Sequence, residues 1–400
     1  MQIAPDGPVH LTYCTNIHPG NGWAEVAANV ARYAPPLKRR FAPHAPFGLG
    51  LRLSAREARE LLATGFEDFA RFLQREGLYV AIVNGFPYGP FHRSVVKADV
   101  YAPDWRDEAR LRYTLDLIEV LRRLLPDGLD GGVSTAPISY KAWMTGAGDW
   151  SPVIRHLVRV AETLVAIRRD HGKLIHLDIE PEPDCTIENT EEAIGFFETR
   201  VFGDASRRLA AAIGCGAAEA REHLRDHIQL CFDCCHFAVE YEDPIAAMAR
   251  FAAAGIRIGR VQLSSALRAT IPADPDAAAP VLDRLRTFAD STYLHQVIQR
   301  RGHDLQHFPD LPEALLSAEP TGSEWRIHFH VPLFTSQYDG LQSTQQDVAR
   351  VLRSLRDRPA TTHLEIETYT WDVLPPPLKG DLLESIGREY DWVLSTWRQA

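Results

Sequence analysis

With 400 residues, 45% of them hydrophobic and 24% charged, the chain can bury a large core, either as one barrel with insertions or as two domains. Its 43 Lys and Arg against 53 Asp and Glu give a formal charge of −10, which argues against a broad nucleic-acid surface and leaves anionic partners to a local patch. The six cysteines show no framework spacing, no secretory signal opens the chain and no long charge-free apolar span occurs, so the expectation is a cytoplasmic protein without a membrane span.

In chain order, residues 9–15 read as a first strand running into a polar turn with Asn16 and His18, before an amphipathic helix over 23–33. Residues 47–53 form a second strand. Ser54 then caps a long helix through Glu76, with Glu57 as its capping-box partner. The β-branched run 79–83 ends at Asn84 and enters a loop rich in Gly, Pro and aromatics up to His92. There Asn84 can donate to a ligand and the rings can line a pocket or pack as a rigid turn.

A helix over 107–125 leads to strand 130–135, a helix over 151–171 to strand 174–180, and an Ala- and Arg-rich helical region to strand 228–233. After His236, Asp243-Pro244 opens a helix and residues 256–263 make a seventh strand that finishes in Gln262. Regularity then breaks. Residues from about 266 to 340 read as an insertion holding a helix over 278–289 and one strand, 327–334. A helix over 342–358, the eighth strand 362–367 and a helix over 378–397 close the chain. Eight strand and helix units, with polar groups at strand ends and no glycine-rich nucleotide turn, predict one α/β domain over 1–400. Its fold is a (β/α)8 TIM barrel with an insertion between strands seven and eight.

Chemistry-bearing residues recur at the ends of apolar runs. Asp233 and His236, in the order D-x-x-H at a strand end, can enter one cavity and bind a borderline divalent ion, or simply hold a loop. Glu180 and Glu367 each end a separate strand, where burial calls for a cation or a hydrogen-bond network. Because Asp178 shares a face with Glu180 and Glu365 with Glu367, strand register alone leaves the inward acid open; Glu180 and the later acid of the eighth strand are taken as ligands. Glu182, between two prolines, is free to act as a base or a further ligand. His328 and His330 share one face, with His330 ranked ahead as a ligand because it adjoins Val331-Pro332, where the chain must leave the strand. Cys231, Cys234, Cys235 and His236 also suggest a zinc site, but no second C-x-x-C pair completes one.

Asp233-Cys-Cys-His236, Ile179-Glu180-Pro181 and Ile366-Glu367-Thr368 resemble the xylose-isomerase-like TIM-barrel superfamily of sugar isomerases, epimerases and endonuclease IV-type repair enzymes. The segments 11–18, 84–92, 180–183, 261–265, 328–332 and 367–371 further resemble the metabolite-traffic EboE proteins of the ebo gene cluster. The resemblance implies a divalent ion (Zn, Mn or Mg) on Glu180, Asp233, His236 and Glu367; the residues themselves add His330 as a ligand and Glu182, Glu367 and His330 as candidate catalytic groups. It also implies substrate contacts from His18, Asn84, Tyr88, His92, Gln262, His328 and Trp371. The implied activity is isomerisation or epimerisation of a small polyol, cyclitol or sugar-like substrate, through an enediolate, in association with other proteins of the gene cluster. Metal-dependent phosphoester hydrolysis and non-catalytic metabolite binding are the alternatives. Gln262 stands where many superfamily members carry a histidine, a departure from the multi-metal pattern.

Overall fold

The computed structural model describes residues 1–3, 7–91, 96–316 and 320–399; His92 lies outside them. Seven strands come first: β1 (His10–Tyr13), β2 (Phe47–Arg52), β3 (Leu78–Asn84), β4 (Gly131–Thr135), β5 (Ile175–Ile179), β6 (Ile228–Asp233) and β7 (Ile258–Leu263). The chain then passes through β8 (Ala266–Ile271), β9 (Val297–Arg301), β10 (Asp304–Phe308), β11 (Ser323–His330), β12 (Gln337–Tyr338) and β13 (Leu341–Ser343) before β14 (His363–Ile366). Strands β1 to β7 and β14 form one parallel sheet in the order β1-β14-β7-β6-β5-β4-β3-β2, and a parallel bridge between Cys14 and Gly50 brings its two edges together as a barrel. All seven residues of β3 and all six of β2 and β6 are buried, as expected where helices cover a parallel sheet on one side and a packed interior on the other.

Polar side chains fill much of that interior. Arg260 of β7 is fully buried, with Nε 3.1 Å from Asp178 Oδ2 and Nη1 3.3 Å from Glu365 Oε2, and it donates to the carbonyls of Val83 and Gly132. Room for these groups comes from glycine: a Cβ on Gly50 would fall 1.8 Å from Glu365 Oε1. Asp178 and Glu365 therefore belong to this ion network, while Glu180 and Glu367, two residues further along each chain segment, stand beyond the strand ends.

The Ser54 cap is present in full, with Ser54 N donating to Glu57 Oε2 at 2.6 Å. The predicted continuous helix behind it is interrupted by a wide turn at Leu61–Gly65, where the Trp23 indole packs against the bare backbone of Gly65. A larger departure concerns the insertion. In place of one strand it contains a six-stranded antiparallel sheet, β10-β9-β11-β8-β13-β12. The sequences of β9 and β10, Val-Ile-Gln-Arg-Arg and Asp-Leu-Gln-His-Phe, lack an apolar alternation because β10 is an exposed edge, so neither shows the period of a half-buried strand.

Candidate metal centre

Three imidazoles converge beyond the C-terminal ends of the barrel strands. His236 lies on the short helix Cys234–Val239 that follows β6, while His328 and His330 come from β11 of the insertion, with Phe329 between them packed the other way against Phe288. Each ring has its Nδ1 beside a carbonyl oxygen: His236 at 2.8 Å from Pro181 O, His330 at 2.8 Å from Glu367 O and His328 at 2.7 Å from Gln296 Oε1. The Gln296 amide is oriented by its own donation to Pro183 O and the Tyr101 hydroxyl. Since a carbonyl only accepts, each Nδ1 carries the hydrogen and each Nε2 keeps a lone pair.

Those lone pairs point together. His236 Nε2 and His328 Nε2 are 3.1 Å apart, and His330 Nε2 is buried without a hydrogen-bond partner among the described residues. A shared proton is disfavoured: burial, then the neighbouring imidazoles, lower His328 well below the usual histidine range, and burial brings His330 down to about 4. A cation between His236 and His328 would satisfy both facing lone pairs.

Carboxylates surround the rings. Asp233 Oδ1 caps the short helix, accepting from Cys235 N at 2.7 Å and His236 N at 3.0 Å, and also takes the Ser264 hydroxyl at 2.6 Å; its Oδ2 is buried and unpaired. Glu367 Oε1 accepts from Asn16 Nδ2 at 2.8 Å and Asn84 Nδ2 at 3.1 Å, whereas Glu180 Oε2 is buried and unpaired. Burial, then the neighbouring acids, raises Glu180 and Glu367 well above the usual carboxylate range. Burial acts the same way on Asp233, but His236, His330 and its hydrogen bonds outweigh it and hold Asp233 low. Glu182 Oε1 accepts from the Tyr101 hydroxyl at 2.8 Å, and burial raises its carboxyl to about 7. Donor atoms of Asp233, His236 and His330 lie within 4.8 Å of one another, as do those of Glu182, His236 and His328. Buried unpaired oxygens beside imidazole lone pairs form a donor set fitted to a divalent ion.

Glu180, Glu182, His236, His328, His330 and Glu367 line one pocket together with Phe86, Phe91, Val100, Tyr293 and Tyr369, the last with its ring centroid 4.6 Å from that of His330. Asn84 also lines it, but its amide is spent on Glu367, so it positions a carboxylate where a substrate contact was expected. His328 likewise belongs among the ligand-grade groups. Four expected substrate contacts lie elsewhere. His18 is stacked on Tyr33 at 4.3 Å and lines a separate cleft with Thr15 and Arg52. Tyr88 packs edge-on to Tyr113, Gln262 accepts the Cys231 thiol inside the barrel, and Trp371 is buried near Phe334. Cys235 comes within ligand reach of His328 and His330, although burial, then Asp233, keeps its thiol protonated. Asn16 and Tyr101 were not singled out from sequence. Asn16, a polar residue just beyond the first strand, carries the same signal that marked Asn84, whereas Tyr101 comes from a loop turn with no such signal.

No protein-family model matches the sequence, and no curated protein matches it. Solved structures do resemble the fold. A D-tagatose 3-epimerase-like protein superposes with a TM-score of 0.50 at 11% identity, covering 98% of this chain and 99% of its own. The fold is a (β/α)8 TIM barrel, as in that protein. Two further structures give slightly lower scores: IOLI protein with a binding zinc atom (0.49, 13% identity, 98% and 99% covered) and a xylose isomerase-like TIM barrel protein from Mycobacterium smegmatis in complex with magnesium (0.48, 12% identity, 100% and 99% covered). At such identities the likeness extends to the fold and no further.

Proposed function

We propose that the chain is a divalent-metal-dependent isomerase or epimerase acting on a small polyol, cyclitol or sugar-like substrate. The observation that carries this reading is the pair of facing Nε2 atoms of His236 and His328, 3.1 Å apart, in a pocket that His330 and Glu180 also line, with Asp233, whose Oδ2 is unpaired among the described residues, within ligand reach of His236 and His330. Asp233, His236, His328 and His330 would be the candidate ligands together with Glu180 and Glu367, and the imidazoles among them favour zinc over magnesium. When bound, the ion supplies Lewis-acid polarisation of adjacent substrate oxygens.

The remaining chemistry belongs to the chain. Glu182 is assigned the proton transfer between neighbouring carbons, since a carboxyl raised to about 7 offers both protonation states near neutrality. Tyr101 fixes it by donating to Oε1. Glu367, clamped by two asparagines, is read as a ligand held still, and the rings of Phe86, Phe91 and Tyr369 exclude water. The epimerase, zinc and magnesium named for the structural neighbours agree with this reading. The finer assignment to the EboE type, with partners from its gene cluster, rests on the sequence segments quoted above.

Metal-loaded protein incubated in deuterated water with a panel of ketoses, aldoses and cyclitol ketones tests the proposal. Incorporation of deuterium next to the substrate carbonyl is expected, falling about 10²–10⁴-fold in Glu182→Gln, the range of a lost general base. Exchange with no member of the panel, together with tight binding of one of them, would replace the reading with a carrier; phosphate release from phosphoesters would replace it with a hydrolase.

A further inference from the structure

At the opposite, N-terminal end of the barrel strands a second group of ligand atoms is assembled from residues that the chemistry above does not use. Asp130 immediately precedes β4, His176 is the second residue of β5 and His363 opens β14; one donor atom from each lies within 4.8 Å of the other two. His176 Nδ1 stands 2.5 Å from Asp178 Oδ1 and therefore carries its hydrogen, which leaves a lone pair on Nε2. This carboxylate-to-imidazole pairing is the one that orients metal-binding histidines. His176 is fully buried, and its Nε2 has no hydrogen-bond partner among the described residues.

His363 Nε2 lies 3.3 Å from Asp130 Oδ1 and 3.2 Å from the Asp130 carbonyl oxygen. The first distance matches the edge of a tetrahedron built on metal bonds of about 2.0–2.1 Å. As it stands His363 Nε2 donates to Asp130, since a carbonyl oxygen only accepts; Nδ1 is unpaired among the described residues, so the hydrogen can move to Nδ1 and free Nε2 for an ion. Asp130 Oδ1 is held by the Thr362 hydroxyl at 2.9 Å. The site also has space reserved for it: a Cβ on Gly132 would fall 2.5 Å from His176 Nδ1, and one on Gly259 2.0 Å from Asp178 Oδ1. His10, with its ring centroid 6.3 Å from that of His363, stands beside the cluster and bonds the Tyr79 hydroxyl through Nδ1.

We propose that Asp130, His176 and His363 form a second, structural site for a zinc-class divalent ion, distinct from the centre at the other end of the barrel. Because β14 and the β4–β5 pair are not neighbours in the sheet, the ion ties separate parts of the barrel wall together across its mouth. Two imidazoles and one carboxylate select zinc or cobalt over magnesium and calcium.

The test counts metal and does not depend on the activity. Chelator-stripped full-length protein is loaded with Zn²⁺ or Co²⁺, freed of excess, and analysed for bound metal per chain and melting temperature. A variant carrying both Asp233→Asn and His236→Ala, which disables the other centre, is expected to retain one equivalent. Adding His363→Ala to it is expected to remove that equivalent and the zinc-dependent rise in melting temperature. Asp130→Asn, a milder change at a partly exposed residue, is expected to weaken the same binding at least tenfold and provides the comparison if His363→Ala does not fold. No metal on the Asp233→Asn, His236→Ala variant would overturn the proposal, as would unchanged affinity in Asp130→Asn. So would a thiolate charge-transfer band in the cobalt spectrum of the Asp233→Asn, His236→Ala variant, which would place its one ion on cysteine.

Discussion

His236 and His328 face each other through Nε2 atoms 3.1 Å apart, while their Nδ1 hydrogens are committed to Pro181 O and Gln296 Oε1. Neither ring can turn its hydrogen inward without breaking a buried bond, so the pair calls for a shared cation. Removing metal with a chelator is expected to lower the melting temperature and restored metal to recover it. His236→Ala should lower metal affinity by more than the about 10–100-fold typical of losing a supporting partner. Isothermal titration with Zn²⁺ or Mn²⁺ checks both, and equal affinity in wild type and His236→Ala would remove His236 from the ligand set.

Asn16 holds Glu367 Oε1 at 2.8 Å and, on the proposed reading, would act one step back from the ion. Asn16→Ala is therefore expected to weaken metal binding by about 10–100-fold, the usual effect of an orienting group, while leaving the fold intact. Circular dichroism and metal titration on the same sample separate the two effects.

Arg260 is the cation among buried acids in the barrel interior, bonded to Asp178 and Glu365 and to two backbone carbonyls. Arg260→Met removes the guanidinium from Glu365 and leaves Asp178 only its bond to His176, and the expected loss is about 3–5 kcal/mol, as for breaking a buried ion pair from one side. Denaturant unfolding measures it; a loss below 1 kcal/mol would mean that water or a proton replaces the guanidinium at little cost.

Glu389 sets a pH dependence. It is buried on the helix Leu382–Gln399, where burial raises its carboxyl from 4.5 to about 7 despite hydrogen bonds to Oε1 from the Thr368 hydroxyl and Leu333 N. Between these values the folded state holds a proton that the unfolded chain has released, so stability falls as pH rises from about 4.5 to about 7 and stays lowered above that. Glu389→Gln keeps an acceptor for both donors and removes the titration. The variant is expected to gain about 3 kcal/mol at pH 8 and nothing at pH 4, so that its stability profile is flatter than that of wild type. Parallel profiles for the two proteins would contradict the assignment.

The barrel and much of its site were legible in the chain because the two signals involved are local. Apolar runs such as Leu78–Asn84 mark strands buried on both faces, and acids placed just beyond them, as at Glu180 and Glu367, mark the end where loops gather. Strand periodicity has no term for depth, so it could not say that Glu365 enters the interior to meet Arg260 while Glu367 clears the strand end. Nor could it recover the six-stranded insertion, whose polar edge strands carry little of the pattern that burial imposes. Tertiary structure alone decided that β11 of that insertion delivers two of the three imidazoles, and that Tyr88, Gln262 and Trp371 pack away from the pocket. The reason is physical: a ligand set is a relation between atoms far apart in sequence, fixed by packing and by hydrogen bonds such as those from Gln296 and Asn16, while composition and spacing record only which side chains are available to take part.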